Sequence, residues 1–341
     1  MRLSLAAVGT AILGLLLAGC ASPPQALALP GTVAVAQRPA TSGNTYLYVT
    51  DPTVNQVEVL DPTYKLVETI TSGLNFPVGD WVDSKGNLYV ANEGKCDGSG
   101  NVVEYAHGST TPTYTYSSGL ICPLFVGADS SGNVFVFDYG TGGPWNFLAE
   151  FPQGQNTVTN TWNTCNTGTY AFCYPTGLTM VSSGELMLAM YGAVHGSLGS
   201  YWVADEVLYN QKYNNQFYLT GYTGAGGGVA IDKKFNVLVG ANPVPKGGGG
   251  GAKRRSGPGG WAIVRTPHKH GTEIQLHNLK YIGFTFVDSL TLSADQKTLF
   301  VADYGGKSVT VLTYPKGAFV KALGGANGLT DPGSAALGPA P

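Results

Sequence analysis

FPVGDWVDSKGNLYVANEG, residues 76–94, decides the fold because it returns. Residues 122–140 read CPLFVGADSSGNVFVFDYG and residues 174–192 read YPTGLTMVSSGELMLAMYG. Looser copies are GGGVAIDKKFNVLVGAN at 226–242 and FVDSLTLSADQKTLFVADYG at 286–305, while TYLYVTDPTVNQVEVLD at 45–61 starts midway through the unit. Self-similarity at a roughly constant spacing of this size is the mark of a repeat architecture. Each copy holds a short apolar run, an Asp or Ser followed by Gly-Asn or its equivalent, and a strongly β-prone run such as Leu88-Tyr89-Val90. Glycine supplies positive φ at the turn, and Asp or Asn side chains bond the nearby backbone.

Working outward, further strands are predicted at 101–105 and 113–117 in the second unit. Four strands per unit is the make-up of a propeller blade. The first unit, 45–70, lacks its opening strand, and LTDPGSAAL at 329–337 has the Pro-x-small-x-apolar character of the other opening strands. The prediction is an all-β, six-bladed β-propeller of four-stranded blades over residues 44–341, closed by the C-terminal strand. Closure matters because an open ring leaves sheet edges unpaired.

The chain begins MRLSLAAVGTAILGLLLAGC, one positive charge at Arg2 and then an uncharged, mostly apolar run to Leu17. That is an export signal, and it is shorter than the roughly 20 residues a membrane-spanning helix needs. Leu17-Ala18-Gly19-Cys20 resembles the lipobox of bacterial lipoproteins, which implies cleavage after residue 19 and a lipid on Cys20. Residues 20–43, rich in Pro, Ala and small polar residues, read as a flexible tether. Ala21 follows the cysteine where inner-membrane lipoproteins often carry Asp, so the resemblance implies a bacterial cell-envelope location, lipid-anchored and favouring the outer membrane.

Charged residues are 12% of the chain against about 25% in an average domain, and the net charge is −2. This composition argues against a nucleic-acid partner or a general anionic-membrane surface. With Cys20 spent on lipid, Cys96, Cys122, Cys165 and Cys173 remain, an even number that suggests disulfides in an exported protein. No CxxC spacing points to zinc.

Pro123, Asp129, Gly132, Asn133, Val134, Phe135 and Val136, with their counterparts in the second unit, resemble the NHL-type repeat. The wider resemblance is to six-bladed propellers of the NHL, streptogramin-lyase and gluconolactonase groups, and it specifies fold rather than chemistry. In such blades short turns such as 84–87 and 130–133 share one face. The long loops 93–100, 191–201 and 242–260 share the other, where binding usually resides. Both Cys96 and Cys122 fall on the loop-rich face, which pairs them and leaves Cys165 with Cys173.

The second strands end at the channel mouth with Asp51, Asn92, Asp138, Met190, Asn242 and Asp303. Three of these precede an aromatic-glycine step, at Tyr139, Tyr191 and Tyr304. The candidate ligand residues are therefore Asp138, Tyr139, Tyr191, Asn242, Asp303 and Tyr304, facing a small molecule, a glycan or an envelope-protein partner. The structural alternative is that Asp and Asn cap strand ends while the tyrosines pack between blades.

A lactonase or lyase is the competing reading. Gluconolactonase-like propellers hold a divalent metal at the starts of the first strands. Here those starts read PVG, PLF, PTG, GGG, VDS and PGS, leaving Asp288 with Asp80 one residue further in. Two carboxylates are few for a hard cation that takes six or more oxygens. A lyase calls for a histidine base, and His195 is the one histidine in a loop of the right face. No catalytic set, metal site or cofactor is therefore assigned. The insertion KGGGGGAKRRSGPGG at 246–260 carries four basic residues between glycines and reads as a solvated loop with possible polyanion contacts.

Overall fold

The structure is a computed structural model. It describes residues 45–140, 146–163, 170–180, 185–194, 200–208, 215–219, 227–234, 236–241, 262–267 and 287–341. The expected signal segment and tether, Cys165, His195, Asn242 and the glycine-rich insertion lie outside the described residues, as does the expected Cys165–Cys173 bridge. Among the described residues no helix is long and apolar enough to cross a membrane.

The repeat forms because its turn residues lock the backbone. Asp83 Oδ1 accepts the N–H groups of Lys85 at 2.8 Å and Asn87 at 2.9 Å, and its Oδ2 accepts Asn87 Nδ2 at 2.9 Å. Asp129 repeats this with Ser131 and Asn133, and Asp232 with Lys234 and Asn236. Gly86 at φ 88° and Gly132 at φ 90° take the left-handed step that brings the Asn back onto the Asp. The last repeat reaches the same end differently: Ser293 Oγ accepts Thr298 N at 2.9 Å, and Gln296 takes the left-handed position at φ 59°.

The strands so joined are antiparallel, and the described ones fall into six sheets. Sheet I comprises Ser334–Gly338, Tyr46–Asp51, Gln56–Leu60 and Leu66–Ile70. Sheet II holds Pro77–Val82, Leu88–Asn92, Asn101–Tyr105 and Tyr114–Tyr116. Sheet III holds Pro123–Ala128, Val134–Tyr139, Asn146–Phe151 and Asn160–Asn163. Sheet IV holds Tyr170–Met180, Glu185–Val194, Ser200–Leu208 and Asn215–Leu219. Sheet V shows Val229–Ile231, Asn236–Ala241 and Ala262–Pro267, and sheet VI Val287–Leu292, Thr298–Asp303, Ser308–Thr313 and Phe319–Leu323. The architecture is an all-β propeller. The C-terminal strand is the inner strand of sheet I, pairing Leu47 with Leu337 and Val49 with Ala335, so the two ends of the domain close one sheet together.

Apolar faces of neighbouring sheets make the core. Tyr89, Val102 and Tyr116 of sheet II pack on Val126, Val136 and Phe151 of sheet III. Phe135, Phe137 and Leu148 pack in turn on Met180, Leu186 and Leu188 of sheet IV. Sheet I seals against sheet VI through Val49 and Leu60 with Phe300 and Val311. At the centre the inner strands come so close that a side chain does not fit. A Cβ on Gly79 would lie 2.4 Å from the Leu124 carbonyl oxygen, and one on Gly177 would lie 2.9 Å from the backbone of Gly228.

Candidate ligand site at the channel mouth

The inner strands surround a central channel whose two ends differ. Toward the short-turn side a cavity of about 90 Å3 is lined by Asp80, Trp81, Asp83, Met180, Asp288 and Pro339, among others. Toward the loop-rich side lies a wider mouth of about 230 Å3. Its floor is a ring of equivalent positions, one from the entry of each inner strand: Val78, Leu124, Thr176, Gly227, Asp288 and Gly333. Phe76, Phe125, Tyr174, Tyr304 and Glu93 stand around that ring. Asp80 lies toward the other end: it and Asp288 both line the narrower cavity, and of the two only Asp288 also lines the mouth.

Three of the rim aromatics are unusually bare: Phe76 is 37%, Tyr174 40% and Tyr304 37% exposed. Phe76 is also held in the left-handed region at φ 55°, an outlier for a bulky residue. The surrounding structure imposes this. Its N–H donates to Asn55 Oδ1 at 2.6 Å, and its carbonyl accepts Glu93 N at 3.0 Å. Backbone strain of this kind is characteristic of ligand sites. Tyr174 is propped from behind by Tyr139, ring centroids 4.7 Å apart.

The polar groups are sunk beneath the aromatics. Burial pushes the Glu93 carboxyl up, and pushes the Asp288 carboxyl well above the carboxylate range, the latter helped by the charge of Asp303. The Tyr174 phenol is raised to about 12 by burial, then by the charges of Glu93, Tyr139 and Asp288, so both carboxyls act on this one ring. Thr176 is 4% exposed, and its hydroxyl has no hydrogen-bond partner among the described residues. The Glu93 loop is pinned by the Cys96–Cys122 disulfide, Cα atoms 4.4 Å apart, which is the pairing the loop topology predicted. Glu93 Oε1 sits 3.3 Å from Cys96 Sγ.

Of the expected ligand residues whose side chains are described, Tyr304 lines the mouth, and Asp138, Tyr139 and Asp303 stand behind it. Asp138 is fully buried. Its Oδ2 accepts Ile121 N at 2.9 Å and both oxygens take a share of Cys122 N. Burial still lifts its carboxyl to about 6 against those hydrogen bonds. Asp51 does the same for Thr330 and Asp331, and Asn92 for Asn75, while Asp303 accepts Gly306 N at 2.9 Å. The strand-end Asp and Asn thus tie down loops at the mouth. Tyr191 lies in the strand Glu185–Val194, paired with Tyr174.

Sequence reasoning missed Phe76, Tyr174, Thr176 and the use of Glu93. A signal was present: Phe76 and Tyr174 each stand two residues ahead of a ring position, Val78 and Thr176, in the copies that begin with an aromatic-proline step.

A divalent cation at this ring would meet one carboxylate, Asp288, beside Val78, Leu124 and two glycines. Such a set does not suit a hard cation that takes six to eight oxygens. Among the described residues the one cluster with metal-ligand types, Glu93 with Cys96 and Cys122, has both sulfurs joined in the disulfide.

No protein-family model matches the sequence, and no curated protein matches it. Solved structures do. Hydrazine synthase of Kuenenia stuttgartiensis is 15% identical with a TM-score of 0.53, over 79% of this chain and 73% of that one. A putative 6-phosphogluconolactonase from Bacteroides fragilis is 12% identical with a TM-score of 0.53, over 87% of this chain and 99% of that one. The periplasmic gluconolactonase of Pseudomonas aeruginosa is 12% identical with a TM-score of 0.50, over 88% and 100%. Likeness at this identity defines the fold, a β-propeller, and leaves the chemistry to the site.

Proposed function

We propose that this protein is a lipid-anchored envelope propeller of six blades, one for each sheet, that binds a small molecule or the end of a glycan at its loop-rich mouth without transforming it. The observation that carries the reading is the rim itself: Phe76, Tyr174 and Tyr304 are held partly bare around a pocket with sunken polar groups. Apolar walls with a few convergent polar groups are the common form of a ligand pocket. The volume, about 230 Å3, suits a small ligand. The lipobox-like Cys20 supports attachment to a membrane, outer rather than inner by Ala21.

The lactonase reading draws on the names of two fold neighbours, and the ring Val78, Leu124, Thr176, Gly227, Asp288, Gly333 gives it one carboxylate. A thermal-shift screen of the full-length protein in detergent against sugars, cell-wall fragments, small amines and divalent ions tests the proposal, since a ligand of the native state raises the melting temperature. A rise lost in Tyr174→Ala supports the mouth as the site. A rise with calcium or magnesium alone, lost in Asp288→Ala and accompanied by lactone hydrolysis, overturns it.

A further inference from the structure

Among the described residues the charges that line the mouth have one sign. Its described lining contains the carboxyls of Glu93 and Asp288 and no basic side chain. The ion pairs among the described residues join Lys297 to Asp295 and Lys307, in the turn after Tyr304, to Asp331, and none of the four side chains lines the mouth. Two acids are thus drawn out of water beside three bare aromatic rings, with no cation of the described structure to balance them. Beneath them the nine-tenths buried Thr176 hydroxyl waits without a partner among the described residues. A carboxyl drawn out of water without a partner holds its proton, and a cation that enters beside it favours the charged form again.

We propose that the mouth takes an organic cation, an alkylammonium group seated among Phe76, Tyr174 and Tyr304 and neutralised by Glu93 and Asp288. The inference rests on the mouth being a binding site and adds the chemical class of its ligand. Aromatic faces attract a cation through their quadrupole, most strongly when water is excluded. Coulomb attraction to a carboxylate also grows as the local dielectric falls. An anion finds no basic partner in the described lining. A neutral sugar would stack on the tyrosines but leave both carboxyls unmatched, whereas a cation satisfies rings and acids together. Thr176 then offers its hydroxyl to an N–H or O–H of the same ligand.

Calorimetric titration of the full-length protein with choline and with its uncharged carbon isostere, 3,3-dimethylbutan-1-ol, isolates the charge at constant shape. Choline is expected to bind about tenfold or more tightly than the isostere. Asp288→Asn and Glu93→Gln should each weaken choline while leaving the isostere unchanged, and Tyr174→Ala should weaken both. The wild-type comparison needs no variant to fold. Equal affinities for the two compounds, or no choline binding, overturn the inference. If either of those results comes with binding of N-acetylglucosamine or the isostere that is lost in Tyr174→Ala, the pocket stands and its charge selectivity fails. If no probe binds, both fail.

Discussion

Replacing Glu58 with glutamine should stabilise the protein above neutral pH. Glu58 lies in the third strand of sheet I, Gln56–Leu60, fully buried, where Gln56 Nε2 donates to its Oε1 at 2.5 Å. Its Oε2 has no hydrogen-bond partner among the described residues. Burial, with the nearby charge of Asp51, lifts its carboxyl from 4.5 to about 7 against the bond from Gln56. Because the folded value lies above the unfolded one, the folded state binds the proton more tightly. The contribution to stability is complete below pH 4.5 and is lost as pH rises through 7. One pKa unit corresponds to about 1.4 kcal/mol, so the swing is at most about 3 kcal/mol. Glutamine keeps the shape and an oxygen for Gln56 but cannot ionise. Urea denaturation of both proteins at pH 4 and pH 8 reads the difference, provided the slope is unchanged. Glu58→Gln should be close to neutral at pH 4 and stabilising by up to about 3 kcal/mol at pH 8. A variant equally or less stable than wild type at pH 8 would show that the Glu58 carboxyl is not the source of this loss.

Gly79→Ala should cost about 1–3 kcal/mol in the same assay, because the new Cβ meets the Leu124 carbonyl rather than a movable side chain. Breaking Cys96–Cys122 by a double serine substitution should cost about 3.5 kcal/mol, the loop-entropy figure for the 26-residue separation. It should also loosen the Glu93 loop, read as faster amide exchange at residues 93–100 with sheet I unaffected. Cys20→Ala should abolish palmitate labelling and release the protein from the membrane fraction; a membrane-bound, labelled variant contradicts the lipid anchor.

Much of the scaffold was legible because it is written in local terms. Asp, Gly and Asn at fixed offsets are enough to make the turns at 83–87 and 129–133, and both chain ends carried half of one sheet's pattern. The disulfide was legible from loop topology, since loops on one side of a propeller are few. The site was less so, because its side chains are aimed by tertiary partners. Asp138 looks like a pocket acid until the entry loop of sheet III presents Ile121 N and Cys122 N to it. Phe76 reads as an ordinary pre-strand aromatic, and only Asn55, 21 residues away in sheet I's turn, turns it into the left-handed conformation that brings it to the mouth. Three of the six inner-strand entries of the ring were visible as Pro-x-small starts, at 77–79, 175–177 and 332–334. That Glu93, beyond the end of a neighbouring strand, joins Asp288 around one tyrosine is a result of closing the sheets about a channel.

We propose the loop-rich mouth as the place where this propeller meets its ligand. A crystal structure of the full-length protein with the best compound from the thermal screen tests it most directly. The compound is expected between Tyr174 and Tyr304, above the ring that holds Thr176 and Asp288. Density at the short-turn end beside Asp80, or on an outer sheet face with the mouth empty, would contradict it.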